Sequence, residues 1–292
     1  MSTQSESLGI LSTMVMRSLR VFFHARSIFY LTLATPVLLW LFFYGFFEPQ
    51  TFSVLESLRT GADVTGLTDG WYFTSVAVMT FFVTTAAVMV SFLTDMHSGR
   101  IGLHLSTGAR PWQVMWGHII AAWLVSFFST VFVILVHQVW ALAFGSRIMS
   151  AVGWFALLGG LALGSLFFAA LNFVAMTFTS SRGSFGGYCF VAGSATGVLA
   201  LAYTLNFRLG MTTVVGFLPF AQVTSLVRAP VLQPGLSGET QPHLLEDLLG
   251  VHIHLGHGDM WAGWMVLLVL IGWIALTIAY GHYRINRMLK RR

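Results

Sequence analysis

The sequence has few charged residues and almost no lysine. Only 9% of its 292 residues are charged, whereas 56% are apolar, and Lys290 is the only lysine. A soluble globular domain has about 25% charged residues, so this chain has too few to cover a surface exposed to water. The composition therefore excludes an ordinary cytosolic enzyme, a disordered protein and a nucleic-acid-binding module.

The scarcity of lysine and cysteine excludes two kinds of site. A Walker A loop needs a lysine after a glycine-rich turn, and Lys290 follows no such turn. Cys189 is the only cysteine, which excludes an internal disulfide and a metal site made of several cysteines. The chain cannot hydrolyse ATP through such a loop, and we expect it to be neither an enzyme nor the carrier of a cofactor.

Long apolar stretches are what the sequence has in abundance. A membrane-spanning helix needs about 20 predominantly apolar residues, and six stretches without Asp, Glu, Lys or Arg are long enough. The predicted spans cover residues 28–47, 71–93, 117–144, 154–179, 184–207 and 260–283. Glycine and proline interrupt a further stretch, Leu209–Val227, which we interpret as a re-entrant helical hairpin within region 208–259. The predicted fold class is an all-α integral membrane protein with six transmembrane helices.

The basic residues predict how the spans are oriented. With the amino terminus inside, most of the 15 basic residues fall in cytoplasmic segments, namely Arg17, Arg20, Arg26, Arg100, Arg110, Arg182, Arg284, Arg287, Lys290, Arg291 and Arg292. Cytoplasmic loops carry such an excess of Lys and Arg, so we place both termini in the cytoplasm. Within residues 1–26, apolar residues recur at steps of three and four, which predicts a basic amphipathic helix at the cytoplasmic interface.

The loop of residues 94–116 is the longest predicted cytoplasmic segment between spans. Its stretch from Ser106 to Pro111 contains a glycine turn, and Pro111 is suited to the first position of a helix. The pattern predicts a short helix, a turn and a second helix that enters the membrane.

Polar groups within the predicted spans are few. None of the spans contains Asp, Glu, Lys or Arg, and an ion-coupled carrier usually has such a group in the bilayer. The candidate substrate path consists of His137 and Asn172 together with Phe81 and Phe82. A secondary carrier driven by ions stays open as an alternative.

Histidines cluster shortly before the last predicted span. The candidate ligands are His252, His254, His257 and Asp259. Imidazole suits zinc, copper or nickel, but the spacing matches no specific structural zinc site. We assign no metal and favour a solvated loop, and the alternative is a membrane sensor or enzyme that uses these histidines.

The whole pattern resembles the permease subunits of type-2 ATP-binding-cassette (ABC) exporters, which include drug, polysaccharide and lipid exporters. The shared features are the interfacial helix, the six spans, the long first cytoplasmic loop and the re-entrant hairpin. Two local patterns add to them. Asp95, Gly99 and Gly108 match an acid, a glycine and a small-residue turn before the third span, and Pro219 and Arg228 match a proline and arginine near the hairpin.

The resemblance implies half of a transporter. Two permease chains, expected as a homodimer in the lipid bilayer, would work with two separate ATPase subunits that bind ATP and magnesium. The implied contacts to the ATPase are Arg17, Arg20, Asp95, Gly99, Arg100, Gly108, Arg110 and Pro111. The cargo would be a hydrophobic or amphipathic drug, lipid or peptide-like molecule, exported across a bacterial or archaeal cytoplasmic membrane.

Overall fold

The computed structural model is helical throughout most of the chain that it describes. The structure describes residues 2–58, 64–106, 108–144, 151–179, 181–202, 216–236, 249–251, 253–255, 259–260 and 263–289. The helices in these ranges are α1 (Ser2–His24), α2 (Arg26–Leu58), α3 (Val64–His97), α4 (Arg100–Ser106), α5 (Pro111–Phe144), α6 (Ala151–Met176), α7 (Arg182–Ala202), α8 (Pro219–Leu236) and α9 (Gly263–Leu289). The predicted all-helical architecture is confirmed at this level, apart from one short strand pair described below.

Helix α1 packs across the bundle and meets α2 at a sharp bend. The two helices are separated only by Ala25, and their axes differ by 81°. Residues at steps of four, Met14, Ser18 and Phe22, form the buried stripe of α1. This stripe contacts α5 very closely, because a Cβ atom on Gly117 would lie 2.6 Å from the Cβ of Met14. A larger residue at position 117 would push α1 away from the bundle.

Helix α3 is the centre of the bundle. Its middle is buried on all sides, and Val76, Phe81 and Met89 are each 0% exposed. Such an all-round apolar helix is stable only inside a protein or a membrane bundle. The helix packs against α1, α2, α5, α6, α7 and α8, so it positions every other long helix except α9.

Four helices of the described residues are long and apolar enough to cross a membrane. They cover Gly66–His97, Pro111–Ala143, Val152–Met176 and Gly263–Leu289, and the bent pair α1 and α2 would supply a fifth if it formed one span. The predicted span 184–207 extends beyond α7 into residues 203–207, which lie outside the described residues. The count of six spans therefore stays a prediction.

The region predicted as a re-entrant hairpin is described only in part. Pro219, which the sequence analysis took as an interruption of the stretch Leu209–Val227, is the first residue of helix α8, and this helix continues past Val227 to Leu236. Its far end packs Leu232 and Leu236 against Leu67 of α3 and against Leu249. The first half of the predicted hairpin falls in residues 209–215, outside the described residues.

The described part of the following loop contains two short strands. His254–Leu255 pairs antiparallel with Asp259–Met260, with His254 opposite Met260. This pair was not predicted, because two residues are too few to give an alternating pattern.

Two buried carboxylates lie near the two ends of α3. The predicted span 71–93 has no charge, but the helix is longer and includes Asp69 and Asp95, which are 3% and 2% exposed. At 1.5 Å per residue, the 26 residue steps from Asp69 to Asp95 span about 39 Å, more than the roughly 30 Å of a hydrocarbon core. The span 71–93 is thus free of charge, as the sequence indicated, and the two carboxylates lie just beyond its two ends.

Candidate functional site

The most connected polar group at one end of the bundle is the carboxylate of Asp95. Both of its oxygens accept hydrogen bonds from the Arg17 guanidinium of α1, Oδ2 from Nη1 and Oδ1 from Nη2, the latter at 2.7 Å. The side chain of Asp95 is 3% exposed and that of Arg17 is 27% exposed. A forked pair of this kind fixes the relative orientation of the two helices as well as their distance.

Two further side chains with ring or guanidinium nitrogens face the same carboxylate. Arg100 of α4 places Nη1 4.0 Å from Asp95 Oδ1, and His118 of α5 places Nε2 4.0 Å from Asp95 Oδ2. The other ring nitrogen of His118 lies 2.8 Å from the carbonyl oxygen of Val114, which fixes the ring orientation. We call Arg17, Asp95, Arg100 and His118 the Asp95 cluster. It joins α1, α3, α4 and α5 at one carboxylate.

Helix α4 ends in a Schellman motif that depends on Gly108. The N–H of Ala109 donates to the carbonyl of His104 at 3.1 Å, and that of Gly108 donates to Leu105 at 3.1 Å. Gly108 has a φ of 91°, a left-handed conformation that is unfavourable for residues with a Cβ atom. Gly99, between α3 and α4, has a φ of 72°. The two glycines therefore allow the sharp turns on either side of α4.

Helix α5 begins as the sequence predicts. Pro111 is its first residue, where the absence of an N–H group costs nothing. The side chain of Gln113 reaches back, and its Oε1 accepts a hydrogen bond of 2.7 Å from the N–H of Arg110. This half of a capping box fixes the start of α5 directly after the α4 turn.

One face of α4 contacts the bundle and the other is exposed. Ile101 is 3% exposed, whereas Leu103 is 65% exposed, and the Arg100 side chain is 59% exposed. Arg110 is exposed beside them. The exposed face of α4 is therefore accessible to a binding partner.

The structure brings some of the predicted coupling residues together and leaves others apart. Arg17, Asp95 and Arg100 meet in the Asp95 cluster. Arg20 and Arg110 are exposed, and neither has a carboxylate within 4.0 Å among the described residues. Sequence reasoning did not include His118 among the coupling residues, although its spacing of seven residues from Pro111 places it about two turns into α5.

The charges of the cluster affect two titratable groups. Hydrogen bonding to Asp95 raises the pKa of Arg17 above its ordinary value. Partial burial lowers the pKa of His104 below its ordinary value of 6.5, and the nearby charge of Arg17 lowers it further. His104 therefore favours its neutral form in the folded protein.

A second polar cluster lies at the opposite end of α3. Arg228 of α8, which the sequence analysis matched to an arginine near the hairpin, is 0% exposed. Its guanidinium donates to the carbonyl oxygens of Leu249, at 3.0 Å, and of Ala200, and to Ser75 Oγ at 2.9 Å. We call Ser75, Ala200, Arg228 and Leu249 the Arg228 cluster. It joins α3, α7, α8 and the segment after residue 248, whereas Pro219 serves as the first residue of α8.

Asn172, a candidate for the substrate path, connects three helices. Its Nδ2 donates to Thr85 Oγ1 at 2.7 Å and to the carbonyl oxygen of Phe82 at 3.2 Å. Its Oδ1 accepts a hydrogen bond of 3.0 Å from the Tyr188 hydroxyl. Because its amide groups bind α3 and α7, Asn172 acts as a structural link in this conformation.

The other candidates for the path lie in different places. Phe82 lines a groove of about 360 Å³ between α3 and α7 that has Arg182 at its edge. Phe81 is buried against Phe168 of α6, with ring centroids 6.1 Å apart. His137 stacks on Phe73, with ring centroids 4.0 Å apart.

The Trp40 ring meets the edge of His137, so this histidine lies among aromatic rings of α2 and α3. The four candidate residues therefore do not form one continuous lining.

The candidate metal ligands are only partly described. His252 and His257 lie outside the described residues, and His254 and Asp259 belong to the two short strands. Among the residues that the structure describes, no three His, Cys, Asp or Glu side chains are placed to hold a metal ion.

The surface of the bundle is apolar where membrane lipid would contact it. On α5, Phe128, Leu135 and Val139 are 63%, 50% and 67% exposed, and on α9 Leu268 is 57% exposed. Exposed apolar area of this extent is unfavourable in water. Together with the long apolar helices, it defines a multi-pass membrane protein.

A family model described as ABC-2 family transporter protein matches residues 49–281. The chain belongs to this family, as the sequence resemblance predicted, and it is a transporter permease subunit. Members are normally not catalytic themselves, which agrees with the absence of a Walker A loop from this sequence. No match is found among curated proteins.

Proposed function

We propose that this chain is the permease subunit of an exporter driven by a separate ATPase that binds ATP and magnesium. A hydrophobic or amphipathic molecule, such as a drug, a lipid or a peptide-like compound, is moved outward across a bacterial or archaeal cytoplasmic membrane. The protein has six spans, both termini in the cytoplasm, and α1 in the membrane interface. Two copies form the complete path.

The Asp95 cluster is the observation that carries this proposal. A short helix, α4, exposes Leu103 and Arg100, and its turn leaves Arg110 exposed beside them. The ATPase binds this surface together with the exposed arginine of α1, Arg20. A force on α4 reaches α1, α3 and α5 through one buried carboxylate, because all three helices contact Asp95 directly.

The force on α4 moves α3, and this movement reaches the other end of the bundle. Helix α3 carries Phe82 beside the groove between α3 and α7, and Ser75 in the Arg228 cluster. Displacing α3 changes the groove and the outer contacts together. The lining of this groove is almost entirely apolar, which favours an apolar cargo over a sugar or an ion.

A co-purification experiment with charge reversals tests the proposal. The tagged full-length chain is purified from its native membrane, and a partner with a Walker A loop is identified by mass spectrometry. We expect Arg110→Glu to lose this ATPase at least tenfold, since Arg110 lies on the α4 surface. Arg287→Glu, which reverses an exposed arginine on α9 instead, is the matched control and keeps the partner.

Transport in vesicles provides the second measurement. Vesicles that contain the chain and its ATPase are expected to accumulate an apolar dye only with ATP. Vesicles with the Arg110→Glu variant are expected to accumulate no dye even with ATP. Accumulation by the chain alone, driven by an ion gradient, would contradict the proposal and favour a secondary carrier. A wild-type chain that retains no ATPase would contradict it equally.

A further inference from the structure

An apolar groove lies where α1 bends into α2. It has a volume of about 390 Å³, and its lining comes from α1, α2 and α5. The residues used in the following argument are Phe23, Phe29, Leu33, Phe128, Ser129 and Phe132. The volume falls within the range of about 300–1,000 Å³ that is usual for small-molecule sites.

The groove is open to the surroundings of the bundle. Phe23, Phe128 and Phe132 line it and are 51%, 63% and 47% exposed. Ser129, at 8% exposure, is its one polar lining residue. An apolar chain in the groove would therefore contact almost only apolar side chains, and it would enter from the lipid.

Two arginines flank this groove. Arg26, Phe29 and Leu33 follow one another at steps of three and four along α2, so they share one face of the helix. Arg20 and Phe23 stand in the same relation on α1. Both arginines are exposed, and among the described residues neither has a carboxylate within 4.0 Å. The groove thus combines an apolar interior with two positive charges at its edge.

We propose that an anionic phospholipid binds at the bend between α1 and α2, with an acyl chain in the groove and its phosphate beside Arg26, where the nearby charge of Arg20 adds to the positive potential. The charge at the edge distinguishes this occupant from a neutral lipid or an apolar cargo molecule, which would gain nothing from the arginines. Arginine pairs well with phosphate because its planar donors reach two oxygens at once. A lipid in this place fills the space beneath a bend of 81° and stabilises it.

Native mass spectrometry of the full-length chain in detergent tests the proposal. The probes are phosphatidylglycerol and phosphatidylcholine with identical acyl chains, added in equal amounts. We expect the wild type to retain one phosphatidylglycerol in preference to phosphatidylcholine. Arg26→Gln should reduce that preference about fivefold, as expected for one basic residue at an anionic surface. Ser129→Phe, which places a ring inside the groove, should abolish retention of both lipids.

Two matched variants separate the groove from the rest of the surface. Arg287→Gln removes an exposed arginine of α9, and Leu135→Phe adds a ring on α5 outside the groove. Both are expected to bind phosphatidylglycerol as the wild type does. Equal retention of the two lipids by the wild type would overturn the proposal, and so would an unchanged preference in Arg26→Gln. If Ser129→Phe does not fold, Arg26→Gln alone tests the proposal, because Arg26 is exposed and its replacement should leave the fold intact.

Discussion

Removing the charge of Asp95 is expected to destabilise the protein, mainly because the ion pair between Asp95 and Arg17 is lost. In Asp95→Asn the Arg17 guanidinium loses a forked partner while it remains largely buried. Breaking a buried ion pair on one side costs about 3–5 kcal/mol. Because the Arg17 side chain is 27% exposed, water solvates part of the remaining charge, and we expect a loss of about 2–3 kcal/mol.

A double-mutant cycle with Arg17→Met measures the interaction itself. The free energy of unfolding is determined for the wild type, the two single variants and the double variant by SDS titration in mixed micelles. We expect a coupling energy of about 2 kcal/mol, within the range for residues in direct contact. The double variant should therefore be more stable than the sum of the single effects predicts.

Arg20→Gln is the matched control for this cycle. It removes an exposed arginine one turn along α1 that does not contact Asp95 within the described residues, so its effect should stay within about 0.5 kcal/mol. A coupling energy near zero between positions 17 and 95 would refute the reasoning, since the forked geometry would then contribute nothing to stability.

Three further predictions concern single residues at the two ends of the bundle. Gly108→Ala should destabilise by about 1 kcal/mol in the same SDS titration because of its φ of 91°, whereas Gly102→Ala within α4 should not destabilise. Arg228→Met should cost about 3 kcal/mol or more, since it removes hydrogen bonds to three helices or segments, and Arg182→Met, an exposed control, should cost less than about 0.5 kcal/mol.

The third prediction concerns His104, whose pKa is lower in the folded protein than its ordinary value of 6.5. As the pH falls through 6.5, the unfolded state therefore binds more protons than the folded state, and the free energy of unfolding decreases. His104→Gln should flatten this loss between about pH 7 and pH 5, and an unchanged pH profile would contradict the assignment.

Local signals in the sequence predict local structure well. The long apolar stretches indicate the helices of a membrane protein, and the family resemblance that follows from them is confirmed. Pro111 starts α5 as predicted, because the preference of proline for a first helical position acts over one turn. Such signals need no knowledge of the rest of the chain.

Contacts between distant residues could not be predicted in the same way. Arg17 and Asp95 are 78 residues apart, and each looks like an ordinary charged residue near the end of an apolar stretch. Arg228 was matched only to an arginine near the hairpin, and nothing nearby in the sequence shows that Ser75, Ala200 and Leu249 receive its hydrogen bonds. His118 was not included among the coupling residues for the same reason, since its partner lies on another helix.

The unbroken course of α3 makes the two ends of the permease mechanically dependent on each other. An uninterrupted helix of about 50 Å transmits a tilt or rotation with little loss, and it carries one buried anchor near each end, Asp95 and Ser75. Weakening either anchor should therefore alter how the remote end responds. In the proposed exporter, a change at the Ser75 end would therefore also alter how α3 responds to the ATPase at the Asp95 end.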